Sequence, residues 1–154
     1  MRYGFSMMQR HLSQTVLVFL TILCSCGDKT TIRPFTSDGC TLFPDKSIIN
    51  RKSWCDCCFQ HDIAYWQGGT ETQRKQADLA LKECVYRKTG DQALADLMYQ
   101  GVRLGGSPYF PNWYRWGYGW PFIRPYGPLT DAEKALVKKH LEDYFSKKPH
   151  PVCN

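Results

Sequence analysis

The stretch WCDCCFQHDIAYW, from Trp54 to Trp66, decides the fold of this chain. Cysteines occupy three of its first five positions, and His61 directly precedes Asp62 farther along. Such a pattern is typical either of a metal-binding cysteine cluster or of a helix held by disulfides. Zinc and iron–sulfur sites need further ligands at matching spacing, and only scattered cysteines follow this stretch. We therefore favour the disulfide-held helix, with the metal cluster as the alternative.

Residues 1–25 have the pattern of a cleaved export signal. Arg2 and Arg10 precede the apolar run TVLVFLTIL, and no acid precedes it. This run is shorter than the ~20 residues that a membrane-spanning helix needs, and the order of charge and apolar run indicates export. The sequence LCSC, ending at Cys26, resembles the lipobox of bacterial lipoproteins. We expect cleavage before Cys26 and lipidation of its thiol, or alternatively ordinary cleavage without a lipid.

The composition indicates one globular domain that contains disulfides. The 154 residues are 43% hydrophobic and 14% aromatic, with a net charge of +6 but no clustered Lys/Arg tract, so nucleic acid is not an expected partner. Of the 8 cysteines, Cys24 and Cys26 belong to the export region. The other six favour three disulfides in an exported domain, although their pairing stays open at this point. We assign residues 1–25 to the signal, 26–35 to a tether and 36–154 to a single domain.

The fold class predicted from periodicity and capping residues is mainly α. A disulfide-stapled antiparallel pair of helices is expected, from Trp54 to Gln67 and, after the cap Thr70, to about residue 87. Further helices are expected over residues 92–104 and 129–145, the last packing through Ala135, Leu136, Leu141 and Phe145. Between these two lies an aromatic-rich irregular segment, residues 109–128.

Helix geometry permits a contact between His61 and an aspartate of the next helix. Cys57 precedes His61 by one helical turn, and Cys84 follows Asp78 by six residues. If Cys57 bonds to Cys84 across antiparallel helices, Asp78 lies level with His61. The alternative is that Asp78 is an ordinary solvated acid.

At this point the residues resemble a known family. The sequence CCFQHDIAY resembles the active-site helix of the secreted phospholipases A2, whose pattern is Cys-Cys-x-x-His-Asp-x-x-Tyr. The upstream sequence SDGCTLFPD is similar to the calcium loop of the bacterial and fungal branch of that superfamily. The resemblance covers about Asp38 to Cys84 and implies calcium-dependent hydrolysis of the sn-2 ester of glycerophospholipids.

The resemblance also implies a role for each matching residue. His61 would be the general base, Asp78 would orient it, and Tyr65 would support Asp78. Calcium would be held by Asp38, the carbonyl of Gly39, and Asp62, which supply the oxygen ligands that this ion prefers. The alternatives are that Asp38 only shapes a turn and that Tyr65 only packs in the core. The implied disulfides are Cys40–Cys58 and Cys57–Cys84, and elimination leaves Cys55–Cys153.

Some features depart from the family pattern. The glycine-rich calcium loop of the animal enzymes is absent. Ala64 and Ala77 stand where those enzymes have two cysteines, which form one disulfide there, so their joint replacement is consistent with the match. Nothing after Cys84 matches.

The aromatic-rich segment and the exported location bear on the partner. The rings of the aromatic-rich segment, among them Trp113, Trp116 and Trp120, are typical either of a membrane-interface surface or of packing over a small core. We expect a monomeric enzyme, exported and anchored in the envelope as a lipoprotein or else secreted, that acts on a phospholipid membrane surface. The alternative is a non-catalytic envelope lipoprotein of the same fold that binds lipid or a protein partner.

Overall fold

The computed structural model describes residues 31–47, 52–122 and 124–147. Within these ranges the fold is mainly helical, as the sequence predicts, and its extended pairing is a single antiparallel bridge between Lys46 and Ser53. None of the described helices is both long enough and apolar enough to cross a lipid bilayer. The helices are α1 (Cys55–Gln67), α2 (Glu71–Thr89), α3 (Gln92–Gly105) and α4 (Asp131–Lys147).

The ends of the central helices follow from capping side chains. At the start of α2, the side chain of Thr70 accepts from the backbone N–H of Gln73, whose own side chain accepts from the N–H of Thr70. This reciprocal pair is a capping box, and it confirms Thr70 as the predicted cap. Helix α2 ends at Gly90, in the left-handed conformation that glycine adopts without strain. Asp91 then begins α3 by accepting from the N–H of Leu94.

Two of the predicted disulfides join the elements around α1. Cys57, near the start of α1, bonds to Cys84, near the end of α2, with 5.7 Å between their Cα atoms. Cys40 bonds to Cys58, so the preceding loop is tied to the same turn of α1. Since α2 also packs along α3, the three helices form one bundle.

Several predicted features lie outside the described residues. They are the export signal, the lipidation site Cys26 and Cys153. Cys55 is disulfide-bonded. Its predicted pairing with Cys153 stays a prediction, because Cys153 lies outside the described residues.

Two hydrophobic clusters form the core. The first lies among α1, α2, α3 and the loop before α1, and the second joins the N-terminal segment to α1, Trp120 and α4. Ile32 and Phe35 are buried in the second cluster. These two side chains come from the predicted tether, residues 26–35, so its described end contributes to the core.

The aromatic-rich segment is held against the end of α1. The backbone N–H of Gly117 donates to the carbonyl of Tyr65 at 2.6 Å, and the indole of Trp120 donates to the carbonyl of Gln67 at 2.7 Å. A Cβ on Gly68 would lie 2.9 Å from Cα of Gly117, so this contact requires glycine. Trp116 and Trp120 are buried, whereas Trp113 is 61% exposed. Packing thus explains two of the three tryptophans.

Helix α4 packs through a face that overlaps only in part with the predicted one. Val137 and Tyr144 are buried, and Leu141 is half-buried, whereas Ala135 and Phe145 are exposed. The prediction is wrong for Ala135. Phe145 is 42% exposed, but its ring lies 6.2 Å, centre to centre, from that of Phe59.

Candidate active site

A cavity of about 640 Å³ opens beside the middle of α1. His61, Asp62 and Tyr65 line it from α1, and Asp38 and Gly39 line it from the preceding loop. The structure therefore brings to one cavity all the predicted metal ligands and two of the three predicted catalytic residues. The third, Asp78, lies behind the cavity wall.

His61 contacts Asp78 across the two central helices. Its Nε2 lies 2.9 Å from Oδ1 of Asp78. Asp78 is fully buried and His61 is largely buried. The contact is the one expected from the cysteine spacing, because the Cys57–Cys84 disulfide fixes the relative height of α1 and α2.

Tyr65 completes a triangle with this pair. Its hydroxyl donates to Oδ1 of Asp78 at 2.7 Å, and its ring lies 4.1 Å, centre to centre, from the His61 ring. Burial and the neighbouring Asp78 carboxylate raise the pKa of the Tyr65 hydroxyl, so it stays protonated and acts as a donor. Tyr65 thus does more than fill the core.

Two arginines that the sequence did not indicate also face Asp78. Nη1 of Arg103, on α3, donates to Oδ2 of Asp78 at 2.7 Å. Nε of Arg74 lies 3.8 Å from the same oxygen and donates to the Tyr65 hydroxyl at 3.1 Å. Arg74 precedes Asp78 by one helical turn, a spacing that favours ion pairing. The sequence alone could therefore have predicted this contact. The role of Arg103 had no such signal, because its contact spans 25 positions.

These contacts determine the charge and the hydrogen-bond pattern of the pair. Burial alone raises the pKa of Asp78, but hydrogen bonds from His61, Arg103 and Tyr65 outweigh it, and the pKa lies below its ordinary range. Asp78 is therefore a carboxylate that only accepts hydrogen bonds. In the neutral imidazole, Nε2 then carries the proton and Nδ1 has the free lone pair. Among the described residues, none forms a hydrogen bond with Nδ1.

The loop before α1 is held by internal hydrogen bonds and contacts Asp62 through Ser37. Oγ of Ser37 donates to Oδ2 of Asp62 at 2.5 Å and accepts from the N–H of Gly39 at 3.2 Å. Oδ1 of Asp45 accepts from the N–H of Cys40 at 2.7 Å and lies directly behind Gly39, whose φ is +81°. A side chain on Gly39 would collide with Asp45, so this turn requires glycine.

Asp62 lies in an unfavourable position for a bare carboxylate. Burial raises its pKa to about 7; the hydrogen bond from Ser37 opposes this rise, and the negative charges of Asp38 and Asp45 reinforce it. A cation among these groups would relieve the repulsion. The donors are carboxylate, hydroxyl and carbonyl oxygens, which suit a hard ion such as Ca²⁺.

Among the described residues, the carboxylates of Asp38 and Asp62 do not belong to a set of side chains that lie within metal-ligand distance of one another. The His, Cys, Asp and Glu side chains that come within mutual ligand distance there are Asp56, Cys57 and Cys84. The two sulfurs are bonded to each other, so this set offers one carboxylate and no thiolate. All of the described cysteines are in disulfides, which argues against the alternative of a cysteine metal cluster in this region.

Much of the remaining cavity wall is apolar, although Arg33, Thr36 and Thr41 also line it. Leu42, Phe43, Met98 and Trp113 line it, and Gly101 of α3 leaves room between them. Leu42 adopts a φ of +64° and is 81% exposed, so the loop presents a leucine at the mouth despite backbone strain. The cavity therefore combines a few polar groups with an apolar surface, as binding sites for small molecules commonly do.

Searches of protein-family models, curated proteins and solved structures found no match to this chain. The resemblance to secreted phospholipases A2 stays a prediction from the sequence.

Proposed function

We propose that this protein is an exported, calcium-dependent phospholipase A2-like hydrolase that cleaves the sn-2 ester of glycerophospholipids. The observation that carries the proposal is the contact between His61 and the buried Asp78, made in the wall of a cavity that Asp62 also lines. An imidazole with one nitrogen held by a carboxylate and the other free is equipped to act as a general base.

The reaction follows from this arrangement. Nδ1 of His61 accepts a proton from a water molecule as the water oxygen bonds to the ester carbonyl carbon. When the carbon–oxygen bond to the glycerol breaks, the same nitrogen returns the proton to the leaving oxygen. The products are a fatty acid and a lysophospholipid. Asp78 keeps the proton on Nε2 and stabilises the imidazolium that forms between the two steps.

The proposed calcium ligands are Asp38, the carbonyl of Gly39, and Asp62, in a calcium loop fixed to α1 by the Cys40–Cys58 disulfide. When bound, calcium would supply positive charge for the developing negative charge on the carbonyl oxygen. The oxygen donors and the crowded negative charge around Asp62 support this choice of ion.

The proposed partner is a phospholipid membrane surface. Large apolar side chains are exposed at the cavity mouth and farther along the chain, which suits contact with an apolar layer. They include Leu42, Leu104, Tyr109, Phe110 and Trp113. An exported, lipid-anchored monomer that acts at such a surface agrees with the lipobox-like sequence at Cys26.

Vesicle hydrolysis tests this proposal. The purified, oxidised chain would be mixed with phosphatidylglycerol or phosphatidylcholine vesicles, in calcium or in chelator, beside the His61→Gln variant. We expect the wild type to release fatty acid in calcium but not in chelator, and the variant to release none in either. If both proteins bind the vesicles equally and neither releases fatty acid, the hydrolase proposal is wrong, and the lipid-binding lipoprotein becomes the better interpretation.

A further inference from the structure

Asp78 has two oxygens, and the structure divides them between different partners. Oδ1 accepts from Nε2 of His61 and from the Tyr65 hydroxyl, whereas Oδ2 accepts from Nη1 of Arg103. The orientation of the carboxylate is therefore determined from both sides. Rotation of the carboxylate would break the bond to Arg103 together with the one to His61.

Arg74, the other arginine near Asp78, has its donors engaged elsewhere. Nε donates to Tyr65, Nη1 donates to the hydroxyl of Tyr126, and Nη2 donates to the carbonyls of Val102 and Arg103. Its distance of 3.8 Å from Oδ2 is beyond hydrogen-bond length. Arg74 thus holds the end of α3, and with it the backbone of Arg103, but does not replace Arg103 on Asp78.

The position of Arg103 connects the two halves of the site. Helix α3 supplies apolar cavity wall through Met98, Gly101 and Val102. The same helix supplies the guanidinium that contacts Asp78, although Arg103 itself does not line the cavity. Its side chain is 27% exposed, while Asp78 is fully buried.

We propose that Arg103 is a positioning residue: by holding Oδ2 of Asp78 it keeps Oδ1 directed at Nε2 of His61. As a role in catalysis this rests on the proposed hydrolase function. Charge-assisted hydrogen bonds of this length are strong and directional, so loss of the guanidinium frees the carboxylate to turn. Mutation of the hydrogen-bond partners that orient metal-binding side chains typically costs about 10–100-fold in activity, and we expect a loss of similar size here.

The test compares Arg103→Met and Arg103→Lys with the matched control Arg87→Met, whose arginine is exposed on α2. We expect kcat for vesicle hydrolysis to fall about 10–100-fold in Arg103→Met with KM within about two-fold, and to recover in part in Arg103→Lys. Arg87→Met should match the wild type. An Arg103→Met protein that keeps wild-type kcat would overturn the proposal, as would a loss equally large in Arg103→Lys.

A second readout does not depend on turnover. NMR of the His61 ring, at a pH where it is neutral, detects the hydrogen-bonded proton on Nε2. We expect this signal in the wild type and in Arg87→Met, and its shift or loss in Arg103→Met. An unchanged signal would overturn the positioning role even if the protein were inactive on every lipid. If Arg103→Met does not fold, Arg103→Gln is judged by the same signal, with the same two outcomes.

Discussion

His61 and Asp78 lie 17 positions apart in the chain, yet Nε2 of one lies 2.9 Å from Oδ1 of the other. The disulfide between Cys57 and Cys84 sets the height of α1 against α2 at one end. Two glycines and Thr70 form the tight connection at the other end. The contact thus depends on how the two helices are joined and not on either helix alone.

Replacing Asp78 with Asn tests this contact directly. The amide keeps the shape but offers both a donor and an acceptor, so it no longer fixes the proton on Nε2, and it leaves Arg103 facing an uncharged group. We expect kcat to fall by about 100- to 10,000-fold. Fatty-acid release from vesicles is the measurement, and Asp96→Asn, at a partly exposed ion pair with Lys82 remote from His61, is the control. Wild-type turnover in Asp78→Asn would contradict the assigned role.

Tyr65→Phe removes a hydroxyl that lies between Asp78 and Arg74. Asp78 then loses a hydrogen-bond donor and Arg74 loses an acceptor, and both are buried. We therefore expect the free energy of unfolding to fall by about 1–3 kcal/mol, with a smaller effect on turnover. Urea unfolding measures the first quantity and vesicle hydrolysis the second. Tyr86→Phe, on the exposed face of α2, should change neither. If Tyr65→Phe is as stable as the wild type, Tyr65 stabilises the fold through its ring alone.

Calcium should stabilise the fold through Asp62. A ligand that binds the folded state alone adds about 2.7 kcal/mol at one hundred times its dissociation constant. We therefore expect the Tm of the wild type to rise in calcium relative to chelator, and Asp62→Asn to lose that rise. The control is Asp56→Asn, which removes the carboxylate beside the Cys57–Cys84 disulfide. If Asp56→Asn loses the calcium response and Asp62→Asn keeps it, the proposed calcium site is wrong.

The sequence predicted the features that depend on local spacing. The cap of α2 follows from residue types at fixed offsets along the chain. The level of Asp78 follows from helix geometry once Cys57 is paired with Cys84, and that pairing was implied by the family resemblance. Arg103 was not predictable in this way, because it reaches Asp78 from a helix whose packing angle no local pattern specifies. The buried face of α4 was predicted only in part for a similar reason, since Tyr144 is buried through its contacts with Phe35 and Phe59 from distant parts of the chain.

Glu133 gives the fold a pH dependence outside the active site. The hydrogen bond from Arg124 lowers its pKa from 4.5 to about 2. Because the folded pKa is depressed, the stabilisation is full above pH 4.5 and is lost as the pH falls towards 2. We expect Glu133→Gln to lower the free energy of unfolding at neutral pH by about 1–3 kcal/mol and to remove this dependence. Urea unfolding across that pH range measures both effects.

Asp131→Asn is the matched control for Glu133→Gln. Asp131 pairs with Lys134 on the same helix, but its side chain is 98% exposed. Exposed pairs contribute little, so its loss should leave the free energy of unfolding nearly unchanged at neutral pH. An equal effect of both substitutions would mean that general helix electrostatics, and not the Arg124 contact, is responsible.

Two substitutions at Gly101 test the stability of α3 and the role of the cavity separately. A Cβ at Gly101 would lie 3.6 Å from the ring of Phe43, which is an ordinary contact. In a helix interior, alanine is more favourable than glycine by about 0.5–1 kcal/mol. We expect Gly101→Ala to raise the free energy of unfolding by that amount, and Gly101→Leu to fill the cavity and lower kcat/KM for long acyl chains more than for short ones. Gly68→Ala, where a Cβ would meet the backbone of Gly117, should instead destabilise the fold. Equal loss of activity on long and short chains in Gly101→Leu would show that this part of the cavity does not hold the acyl chain.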